Sequence, residues 1–410
     1  MNQTLRSDAE TIIRSAIDAV KPDAAVRRAL EHISFPGRVF LVAAGKAAWQ
    51  MAAAALNCLT VPLSGGVVVT KYDHVMGQLP GVDCYEAGHP VPDENSFRGT
   101  QAALELTKDL TETDTVLFLL SGGGSALFEK PIVSGEALQD VTRQLLACGA
   151  EITEMNTIRK RLSQVKGGRF AQWCAPAKVE AVVLSDVLGD PLDMIASGPA
   201  APDLSTSAQA LAIAEKYALT LTDNVRACLA QETPKELTNV RSQIIGSVRE
   251  LCRAAAQAAE ALGYEPVYLT DQLTCEAREA GSFLASILRS QAGSGKKLAY
   301  LAGGETVVHL TGKGLGGRNQ ELALAAAAGL AGLDNACVIS AGSDGTDGPT
   351  DAAGGYADGD TLSELKTHGL ALHEVLADND AYHALQTVGG LIITGPTGTN
   401  VNDVAVGLVQ

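Results

Sequence analysis

Two glycine-rich segments carry the residues that could do chemistry in this chain. The later one, residues 303–322, holds a glycine pair with an acid, a second glycine run, and Arg318 in front of a predicted alanine- and leucine-rich helix. Helix N-termini attract anions, and glycines let a phosphate approach the backbone. Arginine adds a planar fork suited to carboxylate or phosphate. We expect an anion site there, for a phosphorylated ligand, although a tight turn with Arg318 in solvent explains the pattern about as well.

The second glycine run also fits G-x-G-x-x-G at Gly312, Gly314 and Gly317, the weak form of the dinucleotide fingerprint. This pattern lies late in the chain. The nearest acid after the following predicted strand, Asp344, is further away than the usual ~20 residues. Nicotinamide dinucleotide binding is therefore a rival interpretation and not the preferred one.

The earlier segment, Ser121 to Ser125, places three glycines between two serines directly after the apolar run 115–120. Such a run is typical of a central strand in a parallel sheet. Bare N–H groups and hydroxyls at the carboxyl end of that strand predict a phosphate cradle. Lys46 occupies the turn after another predicted strand, at the edge where α/β sheets bind ligands.

Two acids, Asp186 and Asp190, follow a further predicted strand and could hold Mg²⁺, although capping or turn formation explains each acid equally well. His89 ends a predicted strand and could be catalytic, but a histidine that anchors its loop is commoner. The densest group of cations lies in the predicted helix 156–171; it forms either a solvated face or, in part, an anion-binding surface. We find no G-x-S-x-G elbow and no nucleophile–base pair at a diagnostic spacing.

Composition limits the class of protein. The 410 residues exceed one ordinary core, so two domains are expected, and a chain with 46% hydrophobic but 4% aromatic residues suits aliphatic α/β layers. The net charge of −16 argues against nucleic acid and anionic membranes as partners. No apolar run reaches the ~18 residues of a membrane span. Eight scattered cysteines without a C-x-x-C indicate buried, reduced thiols in a cytoplasmic protein.

Predicted strands and helices alternate in both halves of the chain, and residues 234–239 form the best linker between them. We expect an N-terminal domain over 1–235 and a C-terminal domain over 236–410. Ser7 to Glu10 forms a capping box that predicts the start of an amphipathic helix. The last strand is predicted over 391–394.

Taken together, these loops resemble the glycerate 2-kinase family, the type with a C-terminal MOFRL domain, whose members are often called hydroxypyruvate reductases. Nearly the whole chain takes part, in the order of the family. The matching segments are GHPVPDENS and LSGGGSALFEKP, at 88–96 and 120–131, and residues 43–52, 156–171, 185–199, 301–324, 340–355 and 394–404.

The resemblance implies two α/β domains, an N-terminal Rossmann-like parallel-sheet domain and a smaller C-terminal domain with the MOFRL region at about 297–405, with a cleft between them. It implies transfer of phosphate from ATP, with Mg²⁺, to the 2-hydroxyl of D-glycerate. The family's proposed catalytic lysine and arginine fall on Lys46 and Arg318. The predicted cofactor-binding residues are Ser121, Gly122, Gly123, Gly124, Ser125, Gly303, Gly304, Glu305, Asn319 and Asp344, and the predicted metal ligands are Asp186 and Asp190.

Phosphoryl transfer needs positioning and positive charge more than covalent chemistry, which agrees with loops that lack a nucleophile. Asp344 is also a candidate base. Two other functions stay open: a nicotinamide-dependent hydroxypyruvate reductase, and a non-catalytic protein that binds a nucleotide or a sugar acid. A homodimer is a further expectation, because two-domain enzymes of this composition are often dimers.

Overall fold

The computed structural model describes residues 2–410, which divide into two compact units. We call residues 22–245 the central unit, and residues 2–21 with 246–410 the terminal unit. This division differs from the expected domains 1–235 and 236–410 at both ends. The first helix packs within the terminal unit, and a strand beyond residue 235 extends the sheet of the central unit. The cleft expected between the domains stays a prediction.

The helices and strands alternate along most of the chain. The strands are β1 (Val39–Ala44), β2 (Leu63–Lys71), β3 (Val82–Ala87), β4 (Thr115–Leu120), β5 (Lys178–Leu184), β6 (Val240–Gly246), β7 (Glu265–Leu273), β8 (Leu298–Gly304), β9 (Ala336–Gly342), β10 (Gly354–Asp358), β11 (Leu391–Ile392) and β12 (Asp403–Val409). The helices are α1 (Gln3–Ala19), α2 (Pro22–Leu30), α3 (Ala48–Cys58), α4 (Glu94–Leu106), α5 (Gly124–Leu127), α6 (Gly135–Ala147), α7 (Ile152–Arg161), α8 (Arg169–Cys174), α9 (Ser207–Lys216), α10 (Asp223–Leu229), α11 (Val248–Ala261), α12 (Ala277–Gln291), α13 (Arg318–Leu330), α14 (Thr361–Thr367), α15 (Leu372–Ala377) and α16 (Ala381–Thr387).

The sheet of the central unit has the order β3-β2-β1-β4-β5-β6. The ladders that join β1 to β2 and β4, β2 to β3, and β4 to β5 are parallel. The chain moves outward from β1 to β3 and then returns to place β4 beside β1. Ligands of open α/β sheets bind outside the carboxyl ends of the strands where the order reverses. The turns after β1 and β4 lie at this point, which confirms the predicted Rossmann-like fold.

Three phenylalanines hold the segment after β4 in place. The ring centroids of Phe118, Phe128 and Phe170 lie 4.6–5.4 Å apart, and all three side chains are buried. Aromatic pairs at such distances add to the stabilisation that burial provides. Since Phe118 belongs to β4 and Phe128 follows α5, the glycine-rich loop between them is tied to the core at both ends.

The sheet of the terminal unit has the order β11-β10-β9-β12-β8-β7. Only the β7–β8 ladder among those described is parallel; β12 runs antiparallel to both β8 and β9, and β10 to both β9 and β11. Two of these strands, β10 and β12, were not predicted, and the predicted strand 391–394 is strand only at Leu391–Ile392. The register places Asp403 opposite both Gly304 and Gly342.

Helix α1 begins earlier than predicted and belongs to the terminal unit. Its N-cap is Asn2, whose side chain accepts a hydrogen bond from the N–H of Leu5 at 3.2 Å, and not the predicted capping box at Ser7. The Tyr264 hydroxyl donates to Asp8 Oδ2 at 2.8 Å. The residues that form its buried apolar face are Leu5, Ala9, Ile12, Ile13, Ala16 and Ile17.

The structure bears on two predictions from composition, which concern the cysteines and membrane-spanning segments. All eight cysteines are free, but burial holds for Cys174, Cys228, Cys252 and Cys337 alone, whereas Cys148 and Cys275 are exposed. Across residues 2–410, every helix is too short or too polar to cross a lipid bilayer.

Candidate active site

The Lys46 turn and the glycine-rich loop 121–125 are joined by backbone hydrogen bonds at the carboxyl edge of the central sheet. The N–H of Lys46 donates to the carbonyl of Gly122 at 2.8 Å, and the N–H of Ala47 donates to Ser121 Oγ at 3.0 Å. Gly45 has φ +126°, and a Cβ on it would lie 2.2 Å from Ser121 Oγ. The sequence therefore predicted this juxtaposition correctly, and glycine at 45 is what allows the two turns to touch.

The glycine-rich loop presents backbone donors. For the N–H groups of Gly122, Gly123 and Ser125, the described residues supply no hydrogen-bond acceptor. Gly123 has φ +84° and is the N-cap of α5. Successive N–H groups around a residue of positive φ form a concavity that binds anions. The side chain of Ser121, in contrast, is buried and accepts the bond from Ala47, so its role is to hold the loop.

The Lys46 ammonium carries a charge that the protein does not neutralise: no carboxylate of residues 2–410 lies within ion-pair distance of it. Its backbone is fixed from the other side, because His74 Nδ1 donates to the Lys46 carbonyl at 2.9 Å. A fixed turn with an unpaired ammonium beside bare N–H groups is suited to hold phosphate.

His89, which follows β3, lies against the same loop. A Cβ placed on Gly123 would be 3.0 Å from His89 Cδ2, 3.1 Å from His89 Nε2 and 3.2 Å from Lys46 Cγ. Burial lowers the pKa of His89, and the charges of Lys46, Lys71 and His74 lower it further. The imidazole therefore lies in an electropositive corner of the site.

A polar group closes the far side of the loop. Ser125 Oγ lies 3.1 Å from Ser197 Oγ, which donates to Asn156 Oδ1 at 2.9 Å. Arg159 Nη2 donates to the Ser125 carbonyl at 3.0 Å. These contacts fix the first turn of α5, and sequence analysis singled out only Ser125 and the cations of α7 among them.

The basic group of the predicted helix 156–171 is mostly internal, which corrects the solvated-face interpretation and narrows the partial anion-binding interpretation to Arg159. Lys160 Nζ pairs with Asp193 and Asp203 at 3.1 and 3.2 Å. Lys166 pairs with Glu129 at 2.9 Å, and both side chains are fully buried. Arg161 bonds to Ser205 and also pairs with Asp203 and Glu232, and Arg169 donates to backbone carbonyls that include the one of Ser163. Arg159 is the member that reaches the candidate site.

The predicted magnesium ligands lie in the loop after β5. A Cβ on Gly122 would lie 2.1 Å from Asp186 Oδ2, so this carboxylate is in contact with the glycine-rich loop. Asp190 Oδ1 is buried without a hydrogen-bond partner in residues 2–410. No cluster of three His, Cys, Asp or Glu residues in that range could hold a metal by itself. Mg²⁺ is commonly bound by one or two carboxylates together with substrate phosphates, and these two acids fit that mode.

Arg318 lies in the terminal unit, at the start of α13, within a network of acids. Its Nε and Nη2 donate to the two oxygens of Asp403 at 2.5 and 3.2 Å, and its Nη1 donates to Glu305 Oε1 at 2.8 Å. Asn402 Nδ2 in turn donates to Glu305 Oε2 at 3.1 Å. The bidentate geometry fixes the plane of the guanidinium. Sequence analysis included residue 403 only in the matching segment 394–404 and missed this pairing.

The pair of Arg318 and Asp403 is held in a buried setting. Burial lowers the pKa of the Arg318 guanidinium, but the hydrogen bonds and charges of Asp403 and Glu305 outweigh it and raise the pKa above its usual range. Burial raises the pKa of Asp403 to about 6, against the hydrogen bond and charge of Arg318, and the charge of Asp347 adds to the rise. Both groups are therefore ionised near neutral pH, and Arg318 stays cationic throughout.

The N-terminus of α13 is already partly capped by a carboxylate, which argues against a phosphate bound directly on the first-turn N–H groups of Asn319 and Gln320. Asp347 Oδ1 accepts the N–H of Asn319 at 3.1 Å, and Oδ2 accepts the N–H of Gln320 at 2.9 Å. Burial raises the pKa of Asp347, and the bonds from Gln320 and Asn319 oppose that rise. Two donors of the first turn are thus used by the protein, and no pattern in the sequence links residues 319 and 347.

The second glycine run is also engaged by the protein. Asn379 Oδ1 accepts the N–H groups of Thr311 and Gly312 at 2.7 and 2.9 Å, and the N–H of Gly314 donates to the Asp378 carbonyl at 2.8 Å. A Cβ on Gly312 would lie 2.2 Å from Asp378 Cα. These glycines allow close packing of residues 378–380, and the N–H groups of residues 311–315 are not available to a dinucleotide.

The remaining predicted residues of the terminal unit have mainly structural contacts. Gly303 and Gly304 lie in β8, where a Cβ would meet Cys252 Sγ at 2.4 Å and the Leu273 carbonyl at 2.1 Å. Asn319 is buried and accepts from Ser340 Oγ at 2.6 Å. Asp344 Oδ1 accepts the N–H of Thr346 at 2.9 Å. Arg318 and Asp344 nevertheless line one cavity of about 730 Å³ within this unit, large enough for a small ligand.

Comparisons with known proteins identify the family. A family model described as "Domain of unknown function (DUF4147)" matches residues 8–230, and the "MOFRL family" model matches residues 298–403. The D-glycerate 2-kinase of Thermotoga maritima is 53% identical over 99% of both chains. A putative hydroxypyruvate reductase of Agrobacterium vitis is 40% identical over 90% of this chain and 86% of that one.

A solved structure supports the same assignment. The crystal structure of glycerate kinase from Thermotoga maritima superposes with a TM-score of 0.96 at 53% identity and covers 100% of both chains. The resemblance inferred from the loops is thereby confirmed. The chain belongs to the glycerate 2-kinase family, with a MOFRL region in its C-terminal part.

Proposed function

We propose that this protein transfers the γ-phosphate of ATP, with Mg²⁺, to the 2-hydroxyl of D-glycerate and so forms 2-phospho-D-glycerate. The observation that supports this most is the set of unpaired N–H groups at Gly122, Gly123 and Ser125 beside the unpaired ammonium of Lys46. This set of donors lies where the strand order of the central sheet reverses. The names of the relatives support the same reaction.

In this proposal the residues of the central unit bind and orient phosphate. Phosphate oxygens accept hydrogen bonds from the N–H groups of Gly122 and Gly123 and from the ammonium of Lys46. These bonds offset the negative charge of the phosphate without covalent chemistry. Asp186 and Asp190 would hold Mg²⁺, which supplies neutralisation of the transferred phosphate's charge. The contact between Asp186 and Gly122 places that carboxylate at the edge of the cradle.

Arg318 is proposed as the second catalytic cation. Its guanidinium is fixed by three charge-assisted hydrogen bonds, so little conformational entropy remains to be lost when it meets an anion. A fixed planar fork discriminates in favour of carboxylate and phosphate oxygens. Lys46 and Arg318 are proposed to act on the same reaction.

The nicotinamide-dependent reductase is less favoured, because the N–H groups of residues 311–315 donate to residues 378–380. A binding protein without activity would need no metal, and the orphaned buried oxygen of Asp190 does not suit it. Both alternatives make distinct predictions: NADH oxidation with hydroxypyruvate for the reductase, and ligand binding without turnover for the binding protein.

The test is a coupled assay of ADP release over a panel of small 2-hydroxy acids, with the position of the phosphate read by phosphorus NMR. We expect release that requires D-glycerate and Mg²⁺, and a product phosphorylated at the 2-oxygen. NADH oxidation with hydroxypyruvate, or no turnover with any acceptor, would overturn the proposal.

Two variants with matched controls assign the cations. Lys46→Met removes the ammonium, and Arg318→Lys keeps the charge but loses the fork; each should lower kcat/KM by about 100-fold or more. The exposed residues Lys108 and Arg143 provide controls, since Lys108→Met and Arg143→Lys should leave activity unchanged. Near-normal kcat/KM in Arg318→Lys would remove Arg318 from the site.

A further inference from the structure

His89 does not anchor the loop in which it lies. Neither ring nitrogen has a hydrogen-bond partner among residues 2–410. The loop is held by Asp93 instead, whose carboxylate accepts from the Ser96 N–H at 3.0 Å and from the Tyr72 hydroxyl at 2.7 Å. A Cβ on Gly88 would lie 3.0 Å from Asp93 Oδ2. The commoner interpretation of this histidine, as a loop anchor, is therefore wrong.

The imidazole is nevertheless placed with little freedom. It is half-buried and packs beside Gly123, the residue of positive φ in the glycine-rich loop, with the Lys46 side chain on the same side. A half-buried imidazole with two unbonded nitrogens at the mouth of a phosphate cradle has a nitrogen available to a ligand. Side chains that only fill space in such a position are rarely this polar.

We propose that His89 is the general base that accepts the proton of the acceptor's hydroxyl group. This inference rests on the proposed function. It places the base in the central unit, next to the cradle, and not at Asp344, whose Oδ1 is engaged by the Thr346 N–H in the terminal unit.

The proton and electron balance is simple. The neutral imidazole takes the proton from the 2-hydroxyl as the hydroxyl oxygen forms a bond to the γ-phosphorus. The bond from that phosphorus to the bridging oxygen breaks, and its electron pair leaves with ADP. The imidazolium then returns its proton to water, so the enzyme ends unchanged.

The surroundings keep His89 neutral at working pH. The charged groups that act on it are Lys46 after β1 and Lys71 and His74 at and beyond the end of β2, and Asp93 further along its own loop lies against the neighbouring Gly88. Burial and then the positive charges of the first three lower the pKa of His89 below its ordinary value of 6.5. The imidazole is thus unprotonated, as a base must be, throughout the neutral range.

The experiment compares wild type with His89→Gln, which keeps a polar side chain but cannot take up the proton. We expect kcat to fall by about 100-fold, at the low end of general-base contributions because phosphoryl transfer has a loose transition state. KM for D-glycerate should change by less than about threefold, since the base is used in the chemical step. The exposed His32 supplies the control, and His32→Gln should leave both constants unchanged.

Two readouts separate a base from a merely structural residue. In wild type, the imidazole of His89 should titrate by NMR at the same pH as a step in the acid side of the kcat/KM profile. That step should be absent from His89→Gln, where any remaining acid step belongs to another group such as Asp403. The NMR titration uses the wild type alone, so it tests the proposal even if the variant folds poorly.

The outcomes are distinct. An inactive wild type would overturn the proposed kinase function and this inference together. An active wild type would leave the kinase intact but overturn the role of His89 if the His89→Gln variant keeps its kcat, raises only KM, or retains an acid step at the pH where the His89 imidazole of wild type titrates by NMR. An NMR titration that does not coincide with any kinetic step would do the same.

Discussion

Replacing Asp403 by asparagine separates the orientation of Arg318 from the stability of the terminal unit. Asp403 accepts Arg318 Nε and Nη2 with different oxygens, at 2.5 and 3.2 Å. Asparagine keeps one oxygen, so one of these bonds becomes a contact between two donors. A buried donor without an acceptor costs about 1–3 kcal/mol. Arg318 keeps a counter-charge in Glu305, whose Oε1 accepts Nη1 at 2.8 Å.

Burial acts in the opposite direction. The pKa of Asp403 rises from 3.8 to about 6, chiefly because its 7% exposed side chain is desolvated, and this net value already contains the attraction of Arg318. The folded protein therefore disfavours the ionised carboxylate by about 3 kcal/mol. A neutral amide escapes that cost. Near pH 7.5 we expect the free energy of unfolding of Asp403→Asn to equal that of wild type or to exceed it by up to about 2 kcal/mol.

The pH dependence has a definite sign. Because the folded pKa lies above the unfolded one, the stability that this proton provides is fully present below about pH 4 and is lost as the pH rises through about 6. Wild type should lose about 1 kcal/mol from this group between about pH 5 and pH 7.5, and the variant should not. Urea unfolding of both proteins at both pH values measures the change.

The control and the activity complete the test. Asp351→Asn, at an exposed position in the same unit, should show no such pH-dependent difference from wild type. Turnover of Asp403→Asn should fall by about 10–100-fold, since a guanidinium with one fewer fixed bond is misplaced in the site. An equal stability difference at both pH values would refute the burial argument, and full activity would show that the plane of Arg318 is unimportant.

Three further predictions concern single contacts. Gly123→Ala should lower activity more than stability. Alanine at φ +84° costs about 1–2 kcal/mol of stability, whereas its Cβ would press on His89 and Lys46 in the site. Thermal unfolding measures the loss of stability, and ADP release measures the loss of activity. Asn379→Ala removes five side-chain hydrogen bonds at φ +57° and should destabilise by about 3–5 kcal/mol, and Asn379→Gly by about 1 kcal/mol less, in urea unfolding; equal costs would contradict the backbone argument. Asp186→Asn should raise the Mg²⁺ concentration needed for half-maximal ADP release by about tenfold or more, and an unchanged requirement would exclude this acid as a ligand.

Sequence analysis placed the central part of the site because its geometry follows from local rules. Lys46 and Ser121 to Ser125 each follow a buried apolar strand, and parallel strands carry such turns to one edge. The helix starts and glycine turns were visible for the same reason. His89 was noted with two roles left open, because whether a histidine has a hydrogen-bond partner is not encoded in neighbouring residues.

The terminal unit was predicted less well because its pairings join distant parts of the chain. Strand β12 inserts between β8 and β9, and no local pattern states that residues 403–409 pair with 298–304. Asp403 reaches Arg318, and Asp347 caps α13, only through this topology. A glycine run before a helix predicts open donors, but here the protein's own carboxylate takes them.

The position of α1 has a consequence for how the chain matures on the ribosome. This helix is made before residues 22–245, yet its partners α11, β9 and β12 are all made after them. At about 5–20 residues per second, its apolar face waits roughly 10–45 s before even the first of those partners, α11, begins to be made. During that interval Ile12 and Ile13 are open to chaperones or to other nascent chains. Slowing elongation within the central unit should therefore increase aggregation, although no residue of the finished fold is altered.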